Sequence, residues 1–125
     1  MSGKNTNDDT NFVLENIITA MQNKKAKSII SMDLNKIQDS VTQYFVICHA
    51  TSTTQVDAIY NSVIDEVQKI CGIKPSHREG YENSEWILID YFDIVVHIFR
   101  EDIRGFYKLE DLWADAVLKN YDSDE

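Results

Sequence analysis

The sequence predicts an α/β (α+β) domain, with a mixed four- to five-stranded sheet flanked by helices. Three observations carry that prediction. Ser52 and Gln55 in "STTQ" have capping-box spacing just ahead of Val56, Ile59, Tyr60, Val63, Val67 and Ile70, which recur with a helical period. "TQYFVICHA" (42–50) is a nearly continuous run of β-formers, the pattern of a strand covered on both faces. "EWILID" and "DIVVHIF" are two more such runs across a tight turn, so 85–99 reads as a β-hairpin.

The elements follow in order. Residues 1–10 are polar and read as a disordered N-terminus. Leu14, Ile17, Ile18 and Met21 recur at helical spacing and predict a helix over about 11–25. "KSIISMDL" (27–34) is a short strand, and "NKIQDSV" a polar connection. The capped helix runs over about 53–71, stopped by Gly72 with Pro75 beyond it. "GIKPSHREGYENSE" reads as a loop and "REDIRGFYK" as a short helical turn. Leu109, Leu112, Trp113, Ala116 and Val117 share one helical face and predict a final helix. "KNYDSDE" closes the chain. The expected organisation is one domain over 11–119 and an acidic tail over 120–125. Its order is α-β-β-α-β-β-α, with a βαβ crossover from the second strand through the long helix to the third.

Composition narrows the function. With 125 residues the chain fits one domain able to bury roughly two-thirds of its unfolded surface. Twelve Lys and Arg face 21 Asp and Glu, a net charge of −9. Such a chain is repelled by a phosphate backbone unless it gathers its cations, and here they are scattered. Little or no direct nucleic-acid binding is expected; a basic protein partner suits the charge better. No apolar run approaches the ~20 residues that cross a bilayer, and the N-terminus is neither a signal nor a transit peptide. The expectation is a soluble cytoplasmic protein with no membrane role. Cys48 and Cys71 make no metal or redox spacing.

No catalytic constellation assembles. Asp90 and Asp93 bracket a turn and could pair around a metal, but aspartates at such positions commonly satisfy turn amides. His97 lies inside a strand with no sequence-local ligand partner, the usual pattern of a hydrogen-bonded core histidine. His49 and His77 complete no metal motif, "HATSTTQ" is no nucleophile elbow, and no glycine-rich phosphate loop is present. A non-enzyme with no cofactor and no metal is expected. The second half instead concentrates Trp86, Tyr91, Phe92, Phe99, Phe106, Tyr107 and Trp113, the residue types that anchor protein interfaces.

Several of these segments resemble the signature of the ribosomal silencing factors, also called the Iojap-like family. They are "EG" (Glu79–Gly80), Trp86, "DYFDIVVHIF", "RGFYKLEDLW" (104–113) and the earlier block "QYFVICHATSTTQVDAI" (43–59). The similarity covers about 27–113. It implies a fold similar to the nucleotidyltransferase fold without its catalytic motif, and the Gly-Ser and Asp-x-Asp of that motif are missing here. It also implies binding to the large ribosomal subunit through ribosomal protein L fourteen. The bound factor then blocks docking of the small subunit and represses translation under nutrient limitation. Homodimers occur in the family. Two positions depart from the pattern: Phe92 stands where a glycine commonly precedes the second turn aspartate, and His49–Ala50 replace a glycine after the second strand.

The expected partner-facing group is Trp86, Tyr91, Asp93, Phe99, Arg104 and Tyr107, with Glu110 as an acidic edge, forming one contiguous patch. Asp90 and His97 are expected to be structural polar residues. Two competing readings are a metal-dependent nucleotidyltransferase-like enzyme using Asp90 and Asp93, and a dimerising adaptor with no ribosomal role.

Overall fold

The computed structural model describes residues 6–37, 42–107 and 116–121. The elements are α1 (Thr6–Asn23), β1 (Lys27–Asp33), β2 (Tyr44–Ala50), α2 (Thr53–Glu66), β3 (His77–Glu79), β4 (Trp86–Asp90), β5 (Ile94–Arg100), α3 (Glu101–Tyr107) and β6 (Val117–Asn120). They form a mixed α+β fold around one six-stranded sheet of order β3-β4-β5-β2-β1-β6. Among the described residues only β2 and β5 pair in parallel; every other neighbouring pair is antiparallel.

The sheet thus has more strands than the four or five expected. β3 lies inside the stretch expected to be a loop. Its residues "HRE" are all exposed and carry no apolar alternation. Pairing to β4 makes it a strand, and Arg78 ties it to α2 through a 2.6 Å bond to the Tyr60 hydroxyl. β6 claims Val117 and Leu118, expected on the final helix, and Asn120, expected in the tail. Its pairing to β1 supplies backbone partners that local spacing does not reveal. The rest of the expected final helix, 109–115 with Trp113, lies outside the described residues. At the other end the helix starts at Thr6, so 6–10 are helical rather than disordered.

The crossover also lands elsewhere. β3 is antiparallel to β4, β4 to β5, and β5 is parallel to β2, so β3 runs parallel to β2. The chain leaves β2 through α2 and arrives at the sheet edge. The β4–β5 hairpin then fills the gap, and the Trp86 strand runs antiparallel to β2 instead of parallel.

Capping follows the sequence signal at one residue and departs from it at the other. Ser52 Oγ accepts the Gln55 amide at 3.1 Å. The Gln55 side chain does not reach back to the cap; it donates to the Lys24 carbonyl at 3.2 Å, joining α2 to the loop after α1. After Glu66 the helix widens into a π-helical turn, Val67–Cys71, and ends at Gly72 with φ +71°, whose amide donates to the Gln68 carbonyl.

Directly paired residues share a face, so the sheet sorts into two cores. One face carries Val46, Cys48, Ile87, Ile89, Val96 and Ile98, packed under α1 and α2. The opposite face carries Met32, Ile47 and Phe99, packed with Leu34 and partly covered by Ile103 and Ala116. Burial pushes the Cys48 thiol up to about 12, which leaves it an inert core residue.

The hairpin turn is strained at Phe92, φ +76°. The Asp93 amide donates to the Tyr91 carbonyl at 2.9 Å, a three-residue turn with a positive central φ, rare for any side chain and costly for a bulky one. Three bonds hold it: the Phe92 amide donates to Asp90 Oδ1 at 2.8 Å, the Thr42 hydroxyl to the Phe92 carbonyl at 3.0 Å, and the Tyr91 amide to the Ile94 carbonyl at 2.8 Å. Phe92 is 77% exposed, so its ring contributes little packing in return. Phe92→Gly is therefore expected to stabilise the protein by about 1 kcal/mol, read as a higher urea midpoint with unchanged slope.

Candidate functional site

The hairpin register decides where the candidate residues lie. Trp86 pairs with Phe99 at one end, Asp90 with Val95 at the other. Trp86 and Asp90 are therefore four residues, about 13 Å, apart along β4. The contiguous patch expected from sequence splits into two places.

At the turn end, Tyr91 is 8% exposed. Burial raises its phenol above the ordinary range. Asp90 is occupied by the turn amide. Asp93 Oδ2 accepts the Thr10 hydroxyl at 3.1 Å, and the Asp93 carbonyl takes the amides of Gln43 and Tyr44, so this residue ties α1 and β2 to the hairpin. The two carboxylates thus serve separate partners. Among the described residues no group of three His, Cys, Asp or Glu side chains could hold a metal ion.

Along the whole length of the hairpin the second sheet face stays partly open. Trp86, Leu88, Val95 and Phe45 are each only half-buried. The pairs Trp86–Phe99, Leu88–His97 and Val95–Phe45 place all four on the same face as His97. The indole stacks on Phe99 with centroids 4.9 Å apart at 28°, and its Nε1–H donates to His97 Nδ1 at 3.0 Å. Phe45 meets the imidazole edge-on at 5.0 Å and 77°. This is a rigid aromatic platform with an apolar floor, the composition of an interface anchor.

Phe99 itself has no exposed surface. It lies beneath the Trp86 indole and supports the platform from below, whereas the sequence expectation places it facing outward. Arg104 is buried as well. It is 8% exposed, and it donates through Nη1 to the Ser28 carbonyl at 2.8 Å, with His49 Nδ1 at 3.0 Å. Its guanidinium fastens α3 to β1 and β2 instead of facing outward. Tyr107 ends α3, and Glu110 lies outside the described residues. Arg100 forms a two-bond contact with Asp102 at 2.7 and 3.0 Å on the rim, which holds the Asp102 carboxyl below its usual range.

Gly80 stands against the backbone of β4 at Trp86. Its φ is +81°, and a Cβ there would run into the Trp86 carbonyl. The "EG" pair in the sequence thus marks a place where β3 and the following turn approach β4 too closely for any side chain.

Sequence reasoning missed Leu88, Val95 and Phe45. Their signal was present as alternation: Trp86-Leu88 and Val95-His97-Phe99 each step by two. Both faces of these strands are apolar, so alternation alone does not say which one the helices cover.

His97 is 5% exposed, and burial lowers its pKa to about 4. It is neutral at physiological pH.

The family described as ribosomal silencing factor during starvation matches residues 7–125. The ribosomal silencing factor of Bacillus subtilis is 38% identical over 110 residues, covering 88% of this chain and 92% of its own length. The chloroplast protein Iojap of Arabidopsis thaliana is 38% identical over 76 residues, 61% of this chain and 31% of its own. A solved structure from Chromobacterium violaceum superposes with TM-score 0.78 at 33% identity, covering 83% of this chain and 85% of that one. A Bacillus halodurans structure gives TM-score 0.74 at 38% identity, covering 82% and 94%. The match spans nearly the whole described fold, including the strands that build the aromatic platform, and the chain belongs to the ribosomal silencing factor family.

Proposed function

We propose that this protein docks on the large ribosomal subunit through the half-open sheet face around Trp86, contacts ribosomal protein L fourteen, and excludes the small subunit by occupying its docking space. It acts in the cytoplasm and lowers translation when nutrients are limited. The observation that carries this reading is the platform itself: a half-buried tryptophan, locked on Phe99 and His97, sharing with Leu88, Val95 and Phe45 a sheet face that the described helices only partly cover. Ribosomal proteins are mostly basic and ribosomal RNA is negative. A chain of net charge −9 is drawn to the first and repelled by the second, which favours one docking position over many. Steric exclusion requires no bond chemistry. At a hundredfold excess over its Kd, the factor shifts the joining equilibrium by about 2.7 kcal/mol.

The test is co-sedimentation of the purified protein with large subunits, with and without small subunits. Binding to free large subunits and fewer joined ribosomes are the expected results. Trp86→Ala is expected to weaken binding by about 1–3 kcal/mol, the range of a buried aromatic anchor, while the protein stays folded. Unchanged binding by folded Trp86→Ala would remove this face from the docking surface.

A further inference from the structure

The aromatic platform contains one buried polar group whose presence packing does not explain. An indole nitrogen only donates, so the 3.0 Å bond from Trp86 Nε1 requires a lone pair on His97 Nδ1. The imidazole proton therefore sits on Nε2. That atom is buried and finds no hydrogen-bond partner among the described residues. A half-satisfied polar ring in an apolar site is less stable than a hydrocarbon of the same shape. What the histidine supplies is direction. A phenylalanine here would fill the space between Phe45 and Phe99 but would leave the indole free to turn about its side-chain torsions.

We infer that His97 is a positioning residue for docking: its Nδ1 holds the Trp86 indole in one orientation on the open sheet face before any partner arrives. This rests on the docking reading above and deepens it. Two restraints then converge on one side chain. Phe99 supports the ring face at 4.9 Å, and His97 fixes the N–H edge. An anchor held this way loses little rotational freedom on binding, so its contact area counts more fully toward affinity.

The test compares His97→Phe, which keeps a ring and removes the acceptor, with His97→Asn, which keeps an acceptor near the Nδ1 position. In the free protein, hydrogen exchange of the Trp86 indole proton is followed by NMR and assigned by its loss in Trp86→Phe. Loss of protection in His97→Phe and its retention in His97→Asn are the expected results. Binding to purified large subunits should weaken about two- to tenfold in His97→Phe and remain near wild type in His97→Asn. Equal protection in the two variants, or full-strength binding by folded His97→Phe while Trp86→Ala binds poorly, overturns the inference. If Trp86→Ala itself binds normally, the docking reading fails, and with it the docking role of His97, whatever the indole readout shows. Should His97→Phe not fold, the imidazole nitrogen-15 shifts of the wild-type protein still decide: a protonated Nδ1 overturns the assignment.

Discussion

Phe99→Ala is expected to destabilise the protein by about 3–5 kcal/mol, a large part of the 5–15 kcal/mol that holds a typical domain together. The ring is fully buried and belongs to a cluster with Met32, Leu34 and Ile47. Removing it opens a cavity beneath Trp86 that the paired strands β4, β5 and β2 cannot collapse to fill, because their ladders fix their spacing. Urea unfolding should show a lower midpoint at unchanged slope. Trp86→Ala should behave in the opposite way, losing binding more than stability. Near-wild-type stability in Phe99→Ala would mean that the second sheet face is not a core.

Acidification is expected to remove roughly 3 kcal/mol of stability between pH 6.5 and about 4, through His97 alone. The sign follows from where the proton binds. Unfolded, the imidazole takes a proton near pH 6.5; folded, burial holds that back to about 4. Between these values the unfolded chain binds more protons, so stability falls as pH falls. The contribution is full above 6.5 and levels off below about 4. Asp102, lowered by its bond to Arg100, acts in a separate window below its ordinary 3.8. Urea unfolding at pH 7 and pH 4.5 measures the drop. His97→Asn should flatten that part of the profile. A wild-type profile as flat as that of His97→Asn would rule out a neutral buried His97.

Much of the fold was legible because local signals were strong. The Ser52 cap, the helical period after it and the Gly72 stop are short-range features, and they place α2 and its end. The β-rich runs place β1, β2, β4 and β5. β3 and β6 were not legible. Neither has a pattern of its own, and each becomes a strand only because a neighbour offers unpaired backbone groups. The candidate site was half legible for a related reason. Aromatic content marked Trp86 and Phe99 as a pair worth attention, but exposure depends on what lies across the sheet. Phe99 went beneath and Trp86 above. Arg104 looked like an interface cation and turned inward to the Ser28 carbonyl, a partner 76 residues away that no local pattern announces.

By itself the sequence determined the class of the fold, its acidic charge, the hairpin around Asp90 and Asp93, and the family resemblance carried by the order of its motifs. All of these are written in neighbouring residues or in composition. Only the tertiary structure decided which face of β4 and β5 the helices cover and which face stays partly bare, how the candidate residues divide between two ends of the hairpin, and that a neutral histidine grips the indole. Those outcomes depend on pairing between strands far apart in the chain, and a period of two reads the same on either face until that pairing is known.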